Sequence, residues 1–138
     1  DALLVSVGGG GLIGGIAAWY EGRTRVIAVE STGTASYAAS LSAGGPVEIT
    51  PRGIAASALG APRLGPMAAE ILRARDIESV VVSDDDIIRA ARRLWEATRL
   101  VVEPGAATAL AAVTTGTVAG GRIGVLLCGG NAAPGWFL

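Results

Sequence analysis

The sequence predicts an α/β fold in which helices cover both faces of a parallel, twisted sheet. Short apolar segments alternate with longer segments of helical periodicity, and the apolar segments show no polar alternation. Strands that are buried on both faces have this continuous apolar character, and alternating strands and helices form parallel sheets. The length of 138 residues suits one domain, residues 1–138.

The first half of the chain contains a βαβ unit. The pattern predicts a strand over Ala2–Val7, a helix from Gly11 to about Tyr20 and a second strand over Arg25–Val29. This order implies a right-handed crossover between parallel strands. A short helix is predicted over Thr34–Ala43, whereas residues 44–61 are rich in Gly, Pro and Ser and are predicted to form a loop.

The second half continues the alternation of helices and strands. The predicted elements are a helix over Pro66–Arg75, a strand over Glu78–Val82, a helix after Ser83, a helix from Pro104 to about Thr115, and a strand over Ile123–Leu127. Three acids follow Ser83 and could suggest a metal site, Asp84–Asp86. Helix capping is the favoured interpretation, because a serine N-cap and first-turn acids both stabilise a helix N-terminus.

Composition limits the chemistry of the chain. The net charge is −1, so neither nucleic acid nor an anionic membrane is an expected partner, and no apolar run approaches the roughly 20 residues of a bilayer span. The single cysteine suits a reducing cytoplasm, where we expect the protein. The chain has no histidine and no lysine, so none of its side chains can form a Schiff base. Its abrupt start at Asp1 suggests part of a longer protein.

Six glycines fall within Gly8–Gly15, between the first strand and the first helix. Without Cβ atoms, such a loop can present successive N–H groups to an anion, and the helix dipole adds to the attraction. Phosphate is the expected ligand of this loop. The alternative interpretation is that the glycines form a tight turn with a purely structural role. A Walker loop is excluded, since no Gly-Lys-Ser/Thr follows.

Two kinds of phosphate-containing cofactor could bind at this loop, a dinucleotide or a smaller phosphorylated molecule. Glycines at positions 9, 11 and 14, followed by Glu30 after the second strand, fit an NAD(P)- or flavin-binding Rossmann domain of an oxidoreductase. However, Cys128 also follows a strand, and ligands of parallel sheets bind at the carboxyl ends of strands. A small phosphorylated cofactor between the two loops explains both features.

Four segments resemble the serine/threonine dehydratases, which belong to the pyridoxal-phosphate (PLP) enzymes of the tryptophan synthase β type. They are Val5–Ala18, Gly53–Gly65, Val101–Val113 and Gly124–Asn131. The resemblance implies the fold of that group, with this chain as the C-terminal portion of its large cofactor-binding domain. The Schiff-base lysine and the small domain would then lie outside the chain.

The resemblance also implies the positions of the cofactor contacts. The cofactor phosphate would be held at the first loop by Gly8, Gly9, Gly10, Gly11 and Leu12. The pyridine nitrogen would face the thiol of Cys128, and Glu103 would lie beside the ring. Structural alternatives are a small core residue for Cys128 and a helix-terminal acid for Glu103. Some relatives bind a divalent or monovalent cation at positions matching Glu30, Thr34 (through its carbonyl) and Ser36, where some of them have an acid instead of serine. A plain strand-end carboxylate is the favoured interpretation of Glu30.

The activity implied by the resemblance is deamination of L-serine or L-threonine to a 2-oxo acid and ammonia. The implied partners are an amino-acid substrate and a second copy of the protein in a homodimer. Serine racemase activity and a non-catalytic phosphate-binding role stay open as alternatives.

Overall fold

A four-stranded parallel sheet forms the centre of the computed structural model, which describes all 138 residues. The strand order is β3-β2-β1-β4, where the strands are β1 (Ala2–Ser6), β2 (Arg25–Ser31), β3 (Glu78–Val82) and β4 (Ile123–Val125). The central strand β1 pairs with β2 and with β4, with Leu4 opposite both Ile27 and Val125. The predicted parallel sheet is confirmed. Each edge strand is shorter than the strand with which it pairs, since β3 has five residues against seven in β2, and β4 has three against five in β1.

Six α-helices and one short 3₁₀ turn, Pro134–Trp136, connect and follow the strands. The helices are α1 (Gly11–Tyr20), α2 (Ser36–Ala43), α3 (Ala56–Leu59), α4 (Pro66–Ala74), α5 (Asp84–Thr98) and α6 (Pro104–Thr114). None of them combines the length and the apolar character that a membrane crossing requires.

Two details differ from the sequence-based prediction. The segment predicted as a loop contains α3, whose four residues are too few to display helical periodicity. The last strand ends at Val125, two residues earlier than predicted, although the Leu126 N–H still donates to Leu4 O of β1 at 3.1 Å before the loop that carries Cys128. Both differences lie at the end of the sheet where the candidate site is found.

The hydrophobic core has two parts, one on each face of the sheet. One part joins strand residues such as Leu4 and Ile27 to Ile87 of α5 and to the alanines of α6. The other joins Val5 and its neighbours to α1 and α4. Successive residues of β1 therefore enter opposite cores, which explains why the strands lack polar alternation.

A capping box fixes the start of α5. The Ser83 hydroxyl accepts the Asp86 N–H at 3.2 Å, and Asp86 Oδ2 accepts the Ser83 N–H at 3.0 Å. The Ser83 hydroxyl also donates to Asp86 Oδ2 at 2.6 Å, and this bond, the Ser83 N–H and the neighbouring Arg89 together lower the pKa of the Asp86 carboxyl. The predicted capping role is confirmed for Ser83 and Asp86, and no group of three potential metal-ligating side chains is formed here.

The Ser83→Ala substitution is expected to lower the free energy of unfolding by about 1 kcal/mol, because it leaves an N–H of the first turn without an acceptor. Ser42→Ala is the matched control, since the exposed Ser42 hydroxyl bonds only to Ala38 O within its own helix. Urea denaturation of the two variants measures the difference, and equal midpoints would contradict the capping contribution.

Candidate functional site

A cleft of about 310 Å³ opens where β1 and β4 end. Its lining comes from the glycine loop (Gly8–Gly11), from α3, from the start of α6 and from the loop after β4. The lining residues are Ser6, Gly8, Gly9, Gly10, Gly11, Leu12, Ile13, Ala58, Leu59, Glu103, Gly105 and Cys128. The structure thus brings together all seven residues for which a cofactor contact was predicted, although they are up to 120 positions apart in the chain (128 − 8).

The glycine loop presents a continuous row of free hydrogen-bond donors. The backbone N–H groups of residues 8–13 donate to no acceptor in the protein, and the first bond of α1 runs from Gly14 N–H to Gly10 O at 2.8 Å. Unpaired N–H groups at a helix N-terminus attract an anion through their hydrogen-bonding capacity and through the helix dipole. This geometry suits a phosphate group.

The four glycines of the loop serve two different needs. A Cβ on Gly10 would lie 2.8 Å from Ala68 Cβ, so packing excludes a side chain there, and a Cβ on Gly8 would lie 3.1 Å from Leu59 Cα, a tight contact that requires a small shift of α3. By contrast, a Cβ on Gly9 would meet only Ala61 Cβ at 3.6 Å, and a Cβ on Gly11 would meet nothing within 4 Å. Packing does not explain these two glycines, whereas close approach of a ligand to the backbone does.

Glu103 braces the loop that follows Cys128. It occupies the N-cap position of α6 without making a side-chain cap. Instead, Glu103 Oε1 accepts the Asn131 N–H at 3.2 Å, and the Glu103 N–H donates to Gly129 O at 2.9 Å. A Cβ on Gly129 would lie 3.1 Å from Glu103 Cδ, which explains the glycine at that position. The carboxylate therefore joins α6 to the Cys128 loop at the edge of the cleft.

Cys128 lies in the cleft lining as a free, partly exposed thiol. It is not a member of either hydrophobic core, so the alternative of a small core residue does not describe its surroundings. Its predicted contact with a ring nitrogen stays a prediction.

Ser6 is a cleft residue that sequence reasoning missed. Its side chain is buried, and its hydroxyl oxygen accepts the Ala109 N–H of α6 at 3.0 Å. This bond fixes the end of β1 to the middle of α6. The only signal in the sequence is one hydroxyl within an otherwise apolar strand, which is also common in ordinary cores.

Glu30 is fully buried and serves as an anchor for α2. Its two carboxylate oxygens accept the N–H groups of Tyr37 and Ala38, each at 2.8 Å. Burial raises the pKa of Glu30 to about 7, while the two hydrogen bonds act in the opposite direction. A carboxylate held in this way is not available to a ribose hydroxyl, which removes the main support for the dinucleotide interpretation.

The three residues considered for a cation lie close to one another but use their polar atoms internally. The Thr34 carbonyl accepts the Ser36 N–H at 2.9 Å, Thr34 Oγ1 bonds to Ser31 Oγ at 2.9 Å, and the Ser36 hydroxyl donates to Gly8 O at 3.4 Å. Both Glu30 oxygens are occupied by N–H donors. The cation site stays a prediction, and the contact observed from Ser36 links α2 to the glycine loop.

Known proteins resemble the chain along nearly its whole length. Residues 1–129 match the family model described as pyridoxal-phosphate dependent enzyme. The chain is 37% identical over 143 residues to phenylserine dehydratase of Ralstonia pickettii, covering 99% of the chain and 44% of that relative. The chain therefore spans less than half the length of this curated relative.

Solved structures show the same fold. The threonine deaminase of T.th. has a TM-score of 0.87 and 35% identity, covering 96% of the chain and 50% of that structure. Maize serine racemase has a TM-score of 0.85 and 30% identity, covering 99% of the chain and 45% of that structure.

Proposed function

Because the chain belongs to the family of pyridoxal-phosphate dependent enzymes, we propose that it forms the phosphate side and the ring-nitrogen side of the cofactor cleft in an amino-acid ammonia-lyase. The proposed substrates are L-serine or L-threonine, and the products are a 2-oxo acid and ammonia. The row of six unpaired N–H groups at residues 8–13 is the observation that carries the proposal.

In this proposal, the glycine loop binds the cofactor phosphate through backbone N–H groups and through the dipole of α1. Gly9 and Gly11 leave room for the ligand, and Leu12 contributes its N–H from the first turn of α1. These contacts orient the cofactor without any positively charged side chain in the cleft lining.

Cys128 is proposed to contact the ring nitrogen, and Glu103 to lie beside the ring. When bound, PLP supplies an electron-withdrawing ring that acidifies the Cα proton of an attached amino acid. A neutral thiol does not stabilise a protonated ring nitrogen as the negative charge of a carboxylate would, so the ring would be a weaker electron sink. That property suits β-elimination, in which a leaving group departs. The chain has no lysine, so the reactive amine must come from residues outside it.

The test uses the full-length protein that contains this chain. Its visible spectrum should show bound cofactor, borohydride should trap the cofactor on a lysine, and serine or threonine should yield a 2-oxo acid. A colourless protein that binds NAD would contradict the proposal. D-serine as the main product would favour the second candidate, a racemase, which the similarity to maize serine racemase supports.

We also propose that the full-length protein is a homodimer and that it acts in the cytoplasm. Light scattering of the purified protein measures its mass in solution and tests the dimer. A monomeric mass in the presence of cofactor would contradict the dimer.

The Cys128→Ala substitution is expected to reduce turnover or cofactor affinity by roughly fivefold to tenfold, because one hydrogen bond to the ligand is lost. The melting temperature of the apoprotein should not change, since the thiol is outside both cores. Cys128→Ser is the matched control, because a hydroxyl retains the hydrogen-bonding capacity. Unchanged kinetics in the alanine variant would reject the ring-nitrogen contact.

A further inference from the structure

Helix α3 forms one wall of the cleft, and its position sets the width of the cleft. Ala58 and Leu59 contribute the lining. A Cβ on Gly8 would lie 3.1 Å from Leu59 Cα, and a Cβ on Gly105 would lie 2.8 Å from Ala58 Cβ. Because α3 contacts the backbone of the glycine loop on one side and α6 on the other, a small displacement of α3 changes the space available for a ligand.

Very few hydrogen bonds hold this wall in place. Within residues 53–60, the backbone bonds connect only near neighbours, such as Leu59 N–H to Ala55 O at 2.8 Å. One hydrogen bond joins this segment to another element of the fold: the Ile54 N–H donates to Asp84 Oδ2 at 3.1 Å. Ala55 and Leu59 also pack in the core, and the Arg52 N–H bonds to Gly33 O at 2.9 Å just before the segment. The bond to the first residue of α5 is the one directional contact that fixes the segment itself.

The local geometry is built around the Asp84 carboxylate. Gly53 has a φ of 82°, and a Cβ at that position would lie 2.6 Å from Asp84 Oδ2. Only glycine can therefore let the chain pass over the carboxylate at this distance. The other oxygen, Asp84 Oδ1, is buried and has no hydrogen-bond partner.

Asp84 is not needed to cap its own helix, because Ser83 and Asp86 already form the capping box. A buried carboxylate oxygen without a hydrogen-bond partner is unfavourable for the stability of the protein. The N-terminal dipole of α5 offsets part of that cost. The stability of α5 does not explain why a carboxylate is kept at this position. This points to a role of the Asp84 carboxylate elsewhere in the molecule.

We propose that Asp84 is a positioning residue of the cofactor cleft. Its carboxylate holds Ile54, and through Ile54 the wall formed by Ala58 and Leu59, at the distance from the glycine loop that the bound cofactor requires. This inference rests on the proposed function. Asp84 itself is absent from the cleft lining and does not touch the ligand.

Three variants of the full-length protein test the role of Asp84. Asp84→Ala removes the acceptor of the Ile54 N–H. Asp85→Ala is the matched control, because Asp85 is exposed, lies in the same first turn of α5 and also carries a negative charge near the helix N-terminus. Asp84→Asn retains one oxygen that can accept the Ile54 N–H. The readouts are the dissociation constant for PLP and the melting temperature of the apoprotein.

We expect Asp84→Ala to bind PLP roughly tenfold more weakly, as for loss of one hydrogen bond to a charged group. Asp85→Ala should bind PLP like the wild type, and Asp84→Asn should recover most of the affinity. Equal affinities for Asp84→Ala and Asp85→Ala would overturn the inference, whatever their melting temperatures. So would an asparagine variant as weak as the alanine variant. A wild-type protein that binds no PLP would instead refute the proposed function.

Discussion

The Gly10→Ala substitution is expected to destabilise the protein by about 2–5 kcal/mol, as the sum of left-handed backbone strain and overpacking. Gly10 has a φ of 84°, and its added Cβ would lie 2.8 Å from Ala68 Cβ and 2.9 Å from Leu64 Cδ2. Relief of these contacts requires the glycine loop to move away from α4. A displacement of about 1 Å in a positioning loop can reduce turnover by roughly 100-fold.

Gly15→Ala is the control for this prediction. Gly15 is exposed on α1, and a Cβ there would meet nothing within 4 Å. Alanine in a helix interior should stabilise the protein by about 0.5–1 kcal/mol relative to glycine. Thermal unfolding and a turnover assay on both variants provide the comparison. If Gly10→Ala matched the wild type in both measurements, the packing requirement at position 10 would be wrong.

The buried Glu30 carboxyl is expected to make stability fall as the pH rises. Its pKa increases from 4.5 to about 7 on folding, so the native state binds a proton between these values that the unfolded state has lost. The contribution is fully present below the unfolded pKa and is lost as the pH rises through the folded pKa. Linkage converts the shift into about 3 kcal/mol between pH 4.5 and pH 7.

Glu30→Gln removes the titration, because glutamine has the shape of the protonated carboxyl but no ionisable group. Its NH2 group cannot accept the second of the two N–H groups that Glu30 accepts, so the variant also loses one hydrogen bond at all pH values. We expect the stability of the variant relative to the wild type to increase by about 3 kcal/mol between pH 4.5 and pH 8, whatever constant difference the lost hydrogen bond causes. Urea denaturation across this pH range, in the presence of a chelator, measures both proteins. Parallel stability curves would show that Glu30 does not titrate with a raised pKa.

The arrangement of strands and most helices could be predicted because it depends on local patterns. The apolar run of β1 and the capping signals after Ser83 are visible in any short window of sequence. Helix α3 could not be predicted in this way. Its four residues are held by the close contacts at Gly8 and Gly105, and such contacts depend on the folded chain rather than on local periodicity.

The parts of the candidate site that are formed by backbone and loops could be predicted from the sequence. The hydrogen bonds that side chains make to distant parts of the chain could not. The glycine loop and Cys128 could be placed in one cleft because both follow parallel strands. The contact of Asp84 with Ile54 could not be foreseen, because helix capping already explained an acid at that position. Likewise, nothing in the sequence shows that Glu103 would bond to the Cys128 loop.

The contact between α3 and α6 has an evolutionary consequence. With alanine at position 58, a methyl group on residue 105 would lie 2.8 Å from Ala58 Cβ, so the interface admits one methyl group at this point. A larger residue at position 105 therefore requires a smaller residue at position 58, together with a small shift of the Leu59 side chain, whose Cγ would lie 3.3 Å from the added Cβ. The two positions should therefore covary among homologous sequences, and each substitution would be harmful alone but tolerated with its partner.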